Sequence, residues 1–366
     1  MNILFLTTHL NIGGITSYVF SLAAGLKERG HTVYVASSDG EMAGRFTMEG
    51  IYLIPIPIGT KSEASPKVLM SAFKLKPLLR KQRIDVIHAN TRVTQVLASV
   101  LSTHTRTPYV VTCHGFFKRR LHRILFPCWG RRTIAISVQV QQHLVRDFNV
   151  KESEIRLVPH GIDVSRFWTK AQGDRESRKR LLGLHEGPVV GIIARLSEVK
   201  GHKYLIHAMQ EVVRHVPAAQ LLIIGEGRTG EGLRALTQKL ALEKSVVFFP
   251  RAAETAAVLS LMDVFVMPSL NEGLGLGLME AMSCGLAVVG SKVGGIKSLI
   301  QHEVSGLLVP SANPALLAEA LVELLNDPEK QRRLGEKARE FIAEHFSYEE
   351  MITKTEEVYR ECLVER

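Results

Sequence analysis

Short unbroken apolar runs alternate along this chain with longer stretches whose apolar positions recur at helical spacing. In the first half the runs are Ile3–Thr7, Thr32–Ser37, Ile51–Ile58, Asp85–Ala89, Tyr109–Thr112, Thr133–Ile136 and Ile155–Val158. They are apolar throughout rather than on alternate positions, which predicts strands of a parallel sheet covered on both faces. Amphipathic segments between them, such as Ile15–Arg29 and Val138–Phe148, predict crossover helices. The rhythm breaks at Trp168–Gly187, a polar stretch ending in Gly187-Pro188, which reads as a linker with a short basic helix. It restarts with strands at Val189–Ala194, Gln220–Ile224, Val246–Phe249, Val264–Met267, Ala287–Val289 and Gly306–Val309. Helices are expected at Lys203–His215, Ala315–Asn326, Glu329–Glu344 and Tyr348–Val364. Two blocks of β-α-β units predict an α/β protein of two Rossmann-like, doubly wound domains facing a central cleft. The expected division is 1–168, a linker over 169–187, 188–345, and a terminal helix over 346–366 that returns to the first domain.

Composition narrows the class. A chain of 366 residues is long for one hydrophobic core, and 46% apolar with 22% charged residues excludes a disordered or fibrous chain. No apolar run approaches the roughly 20 residues of a membrane span. The opening Met1–His9 reads as a first strand rather than a secretion signal. Cys113, Cys128, Cys284 and Cys362 are far apart and form no metal-ligand spacing, as expected of reduced thiols in a cytoplasmic protein.

The net charge of +10 is uneven: residues 1–165 hold 21 Lys+Arg against 10 Asp+Glu, and residues 166–366 hold 25 against 26. A basic first half points to an anionic partner: a phosphorylated substrate, a membrane surface or nucleic acid.

The sharpest chemical signal is Asn271-Glu272-Gly273-Leu274-Gly275-Leu276-Gly277-Leu278-Met279-Glu280, directly after a strand. The glycines permit close backbone approach, and amides at a helix start attract phosphate. The two carboxylates suit sugar and ribose hydroxyls. Arg195 and Lys200 flank a loop at another strand's carboxyl end, where such a pair can neutralise a diphosphate. Gly225 and the Gly294-Gly295 pair mark two further turns after strands.

With these motifs in place, the chain resembles the retaining glycosyltransferases of family 4, which have the GT-B fold. The resemblance rests on Glu272 and Glu280 as a Glu-x7-Glu pair, Arg195 with Lys200-Gly201, Asp263–Ser269, Ser305–Val309, Gly13-Gly14, His114-Gly115, and Val158–Phe167. It spans nearly the whole chain, with the motifs in family order. The resemblance implies that Arg195 and Lys200 hold the donor's diphosphate and that Glu280 binds ribose. It implies that Glu272, with the amides of Gly273, Leu274, Gly275 and Leu276, holds the transferred sugar and its phosphate. Gly13 and Gly14 would admit the diphosphate and acceptor, Gly225 would line the donor site, and His114 would meet the reacting sugar. Three positions depart from the pattern: His160 stands for Asn, Pro250 for a Gly in the base-binding loop, and Lys297-Ser298 for Pro-Glu.

The expected reaction is front-face, retaining transfer from a nucleoside-diphosphate sugar, UDP-linked by preference, with no cofactor. No Asp-x-Asp occurs in the sequence, so nothing in it calls for a metal at the diphosphate, and a metal-independent transfer is expected. The expected acceptor is an envelope glycolipid, lipopolysaccharide or polysaccharide. Asn90, Arg92 and Arg119 are the candidate acceptor contacts. Pro66–Arg83 and Phe116–Arg132 place cations beside large apolar residues, as a peripheral membrane surface does. Pro77 argues against one continuous helix across the first of these. A sugar-nucleotide epimerase of the same fold is the nearest alternative. A dinucleotide oxidoreductase is disfavoured because Gly-x-Gly-x-x-Gly is absent after the first strand. A nucleic-acid protein is disfavoured because Glu272 and Glu280 would have no purpose in it.

Overall fold

The computed structural model describes residues 1–167, 175–250 and 255–364. The chain forms two compact units, Met1–Gly161 with Tyr348–Arg366, and Ile162–Ser347.

The first unit holds strands β1 (Asn2–Leu6), β2 (Thr32–Ser37), β3 (Tyr52–Pro55), β4 (Val86–Ala89), β5 (Tyr109–Cys113), β6 (Arg132–Ala135) and β7 (Ile155–Leu157). All pair in parallel, in the order β3-β2-β1-β4-β5-β6-β7. Its helices are α1 (Gly14–Glu28), α2 (Ala43–Met48), α3 (Pro66–Lys81), α4 (Arg92–Thr105), α5 (Leu121–Leu125) and α6 (Val138–Phe148).

The second unit holds β8 (Val189–Ile193), β9 (Gln220–Ile224), β10 (Val246–Phe249), β11 (Val264–Met267), β12 (Ala287–Ser291) and β13 (Leu307–Val309). These are also all parallel, in the order β10-β9-β8-β11-β12-β13. Its helices are α7 (Arg175–Leu181), α8 (His202–His215), α9 (Gly230–Lys239), α10 (Thr255–Leu259), α11 (Leu276–Ser283), α12 (Ile296–Leu299), α13 (Pro314–Asn326) and α14 (Pro328–His345). The last helix, α15 (Tyr348–Val364), belongs to the first unit.

Every strand anticipated from an unbroken apolar run is present, because central strands such as β4, β9 and β11 are buried along their whole length. Helix starts follow local chemistry. Ser65-Pro66, Asn313-Pro314 and Asp327-Pro328 each supply a side-chain cap followed by proline at the first helical position.

The structure differs from expectation in three places. Helix α3 runs through Pro77. Proline costs a helix interior about 3 kcal/mol, but α3 buries Val68, Leu75 and Leu79, at about 1.5–3 kcal/mol each. The carbonyl that Pro77 leaves without its helical donor is that of Phe73, an exposed residue. Second, residues 175–187 are not a free linker; residues 168–174 of the expected linker lie outside the described residues. Arg175 bonds Asp263 at 2.8 Å and the Leu261 carbonyl at 3.0 Å. The Lys179 ammonium is buried against the Gly187 carbonyl at 2.9 Å, with Glu176 at 3.1 Å. Third, the turn Val164–Phe167, assigned to the first domain from sequence, packs on α11 and α14.

Helix α15 is clasped to the first unit. Met351, Ile352, Val358, Tyr359 and Cys362 join the same buried cluster as Tyr18, Val19, Leu22 and Leu26 of α1. A Cβ on Gly25 of α1 would come within 2.1 Å of the Ile352 side chain, so glycine there is the condition for close packing. Around this core, Glu361 pairs with Arg132 at 2.9 Å and with Arg156 at 2.6 Å.

Candidate active site

Strand order reverses beside β8 in the second unit and beside β1 in the first, and ligands of open α/β sheets bind at the carboxyl ends of such strands. The loop after β8 carries Arg195 and Lys200; the loop after neighbouring β11 carries Glu272. Main-chain contact stitches the two loops together. The Leu270 amide donates to the Val199 carbonyl at 2.7 Å, and Gly201 (φ 72°) sits so close to the Pro268 carbonyl that a Cβ would be 1.9 Å from it.

The result is a short ion pair: Lys200 Nζ lies 2.5 Å from Glu272 Oε2, with the Ser269 hydroxyl donating to the same oxygen at 3.3 Å. Only 14% of the Glu272 side chain is exposed. One carboxylate oxygen and two of the three ammonium hydrogens are left for other partners. The third loop, after β12, backs this pair. The Gly295 amide donates to the Glu272 carbonyl at 2.9 Å, and a Cβ on Gly294 would meet that oxygen at 2.0 Å. Lys297 is exposed beyond it.

Gly273, Leu274 and Gly275 are buried and Leu276 half-buried, with Gly275 (φ 111°) the cap residue of α11. Glu280, within α11, is half-buried, and burial lifts its carboxyl to about 7 against a weaker opposing hydrogen bond from Thr255. Arg195 is exposed. Gly225 has a structural reason of its own: at φ 147° a Cβ would meet the Ala194 carbonyl at 2.1 Å.

The raised Glu280 carboxyl gives a testable sign. The folded state holds this proton more tightly than the unfolded chain, so the group's stabilising contribution is full below about 4.5 and is lost as pH rises through about 7. Glu280→Gln is therefore expected to melt above the parent protein at pH 8, with the gap closing toward pH 5. An equal gap at both pH values in thermal melts would contradict this.

In the first unit, Gly13 and Gly14 are exposed at the start of α1, and a Cβ on either meets nothing within 4 Å. The fold itself does not demand glycine there, which leaves room for a ligand as the reason. His114 follows β5, half-buried, and its Nε2 lies 3.2 Å from Asn90 Oδ1. Burial, then the neighbouring His160 and His88, hold the His114 imidazole down to about 3. It is a neutral hydrogen-bonding ring rather than a proton store at neutral pH.

The predicted acceptor contacts separate. Asn90 is 2% exposed and orients His114 rather than facing outward. Arg92 is committed to structure: it pairs with Glu63 and donates to the carbonyls of Phe126 and Pro127, at 2.6 Å each. A residue at the first turn of α4 looked free in the sequence because its partners come from two distant segments. Arg119 is exposed, as are Lys118 and Arg120.

Sequence reasoning missed Tyr18, His88, Thr112 and Tyr359, which form a buried polar cluster beneath His114. The available signal was a histidine inside the otherwise apolar run Val86-Ile87-His88-Ala89.

Residues 12–166 match the model described as Glycosyltransferase Family 4, and residues 174–341 match that described as Glycosyl transferases group 1. The chain belongs to glycosyltransferase family 4. This family 4 enzyme is 26% identical over 373 residues to the N-acetyl-alpha-D-glucosaminyl L-malate synthase of Bacillus anthracis, covering 98% of this chain and 96% of that one. It is 25% identical over 317 residues to an Escherichia coli UDP-Gal:alpha-D-GlcNAc-diphosphoundecaprenol alpha-1,3-galactosyltransferase, covering 82% and 81%. The crystal structure of Anabaena Alr3699/HepE in complex with UDP-glucose superposes with a TM-score of 0.88 at 22% identity, over 99% of this chain and 100% of that one. The two parallel sheets of this glycosyltransferase are those of the GT-B fold.

Proposed function

We propose that this glycosyltransferase moves a sugar, with retention of anomeric configuration and without a metal, from a UDP-sugar to an anionic envelope glycolipid or oligosaccharide. The observation that carries the donor half is the Lys200–Glu272 pair, 2.5 Å apart, beside the glycine-rich start of α11. Lys200 has two N–H bonds to give to the diphosphate while remaining paired, and exposed Arg195 adds a second cation. Glu272 and the amides of Gly273 to Leu276 take the transferred sugar and its phosphate, and Glu280 takes ribose hydroxyls. His114, neutral and pinned by Asn90, meets a hydroxyl of the transferred sugar.

In the step itself, the bond from the anomeric carbon to the diphosphate oxygen breaks. The acceptor oxygen bonds to the same face of that carbon, and the departing oxygen takes the acceptor's proton. Neutralising that leaving group is the largest contribution expected of the protein. The Escherichia coli relative named for a diphosphoundecaprenol acceptor and the Anabaena structure holding UDP-glucose support a UDP-sugar and a lipid-linked acceptor.

The test is thermal stabilisation across UDP-, GDP- and ADP-sugars, followed by NMR of the product's anomeric proton. A UDP-sugar is expected to raise the melting temperature, and the product to keep the donor's configuration. Stabilisation by GDP- or ADP-sugars alone, or an inverted product, would overturn the corresponding part.

The membrane reading concerns the first unit, as a peripheral contact of a cytoplasmic enzyme. No helix among the described residues is long and apolar enough to cross a membrane. Leu121, Ile124, Leu125 and Phe126 are nevertheless exposed beside Lys118, Arg119 and Arg120, and Leu69, Met70 and Phe73 are exposed on α3. Glu63 brings the segment before α3 to α5 by pairing with His122 at 2.7 Å. Apolar side chains ringed by cations suit an anionic lipid surface. Neutralising Lys118, Arg119 and Arg120 together is expected to reduce co-sedimentation with phosphatidylglycerol-rich vesicles, at roughly 1 kcal/mol per charge. Unchanged sedimentation would reject the surface.

A further inference from the structure

The buried cluster below His114 is linked by hydrogen bonds. The Tyr18 phenol oxygen lies 3.2 Å from the Thr112 hydroxyl. The Thr112 hydroxyl lies 2.6 Å from His88 Nε2, and the Tyr359 hydroxyl of α15 lies 2.6 Å from His88 Nδ1. His88 is fully buried, and burial pushes its imidazole down to about 3, so the ring is neutral with one N–H. It therefore donates to one of these hydroxyls and accepts from the other.

Two supports of His114 start from this circuit. The Tyr18 ring stands edge-on to the His114 ring, with centroids 4.7 Å apart at 75°, and also edge-on to His160 at 5.1 Å. Asn90, whose Oδ1 meets His114 Nε2, is itself held by donating to the His88 carbonyl at 3.3 Å. His88 thus backs His114 through its side chain by way of Thr112 and Tyr18, and through its main chain by way of Asn90.

We infer that His88, hydrogen-bonded at its two ring nitrogens to Tyr359 of the terminal helix and to Thr112, is a positioning residue that fixes the orientation of the His114 ring. The inference rests on the reading of His114 as a site residue. It assigns the last helix a part in the reaction besides its packing. Tyr359→Phe removes one hydroxyl and no apolar surface, and Thr112→Val removes the relay while keeping its shape.

The experiment pairs imidazole ¹⁵N NMR with steady-state kinetics. The native spectrum is expected to show a neutral His88 ring throughout pH 5–8. Tyr359→Phe and Thr112→Val are expected to shift the His114 ring signals and lower kcat roughly tenfold with donor KM unchanged, while Thr112→Ser keeps native values. In a His114→Ala background neither substitution should cost anything further. Unshifted His114 signals, or an equal kcat loss in the His114→Ala background, would overturn the inference by showing a merely structural role. Full turnover by His114→Ala alone would overturn the reading of His114, while the NMR shifts still decide whether His88 positions it. Should Tyr359→Phe fail to fold, the Thr112→Val and Thr112→Ser pair decides the matter.

Discussion

Lys200→Ala and Glu272→Ala are each expected to reduce transfer by on the order of 10²–10³ in kcat, the cost of removing one preorganised charge from the reacting centre. The cause is the ion pair at the joined ends of the β8 and β11 loops, 2.5 Å across and largely shielded from water. In the proposed reaction, removing Lys200 takes away a cation for the leaving group; it also leaves Glu272 without its ion-pair partner. Removing Glu272 frees Lys200 to stray from the position in which the pair holds it. Because each substitution disables the other residue, the double variant should be little worse than either single one. Circular dichroism should be unchanged, since neither side chain belongs to the apolar core. Full turnover by either variant, or multiplicative losses in the double, would sink the assignment.

Ending the chain at Ser347 is expected to unfold the first unit. The truncation removes five side chains of the buried apolar cluster, Met351, Ile352, Val358, Tyr359 and Cys362, and uncovers their partners on α1. At roughly 1.5 kcal/mol or more for each buried side chain, the loss approaches the whole stability of an ordinary domain, about 5–15 kcal/mol. The ion pairs along α15, such as Arg29–Glu349 with 69% of the Glu349 side chain exposed, contribute far less. Loss of cooperative melting of the first unit is the expected observation. A truncated chain that melts like the full one would show that α15 is dispensable.

The segment around Glu272 was legible as a candidate site because its parts are local. A glycine-rich turn after an apolar strand, a helix start and two carboxylates eight positions apart lie within a dozen residues. The fold was legible for a related reason, since strands buried on both faces have no polar positions to disguise them. Arg92 shows the opposite case. Its type and place at a strand's end suggested an acceptor contact, but Glu63 and the Phe126 and Pro127 carbonyls occupy it. Pro77 shows a local rule outweighed, because burial of the α3 face exceeds the cost of one missing hydrogen bond.

The sequence by itself determined the architecture, two parallel α/β units, and the family, because periodicity and motif spacing are properties of contiguous residues. It also located the excess positive charge in the first half. Only the tertiary structure decided which polar groups meet. Lys200 reaches Glu272 across 72 positions of chain, and His88 reaches Tyr359 across 271. No periodicity records such pairings, because they depend on which loops adjacent strands bring together and on where the last helix packs. The neutral states of His88 and His114 follow from burial, and from nothing closer to the residues themselves.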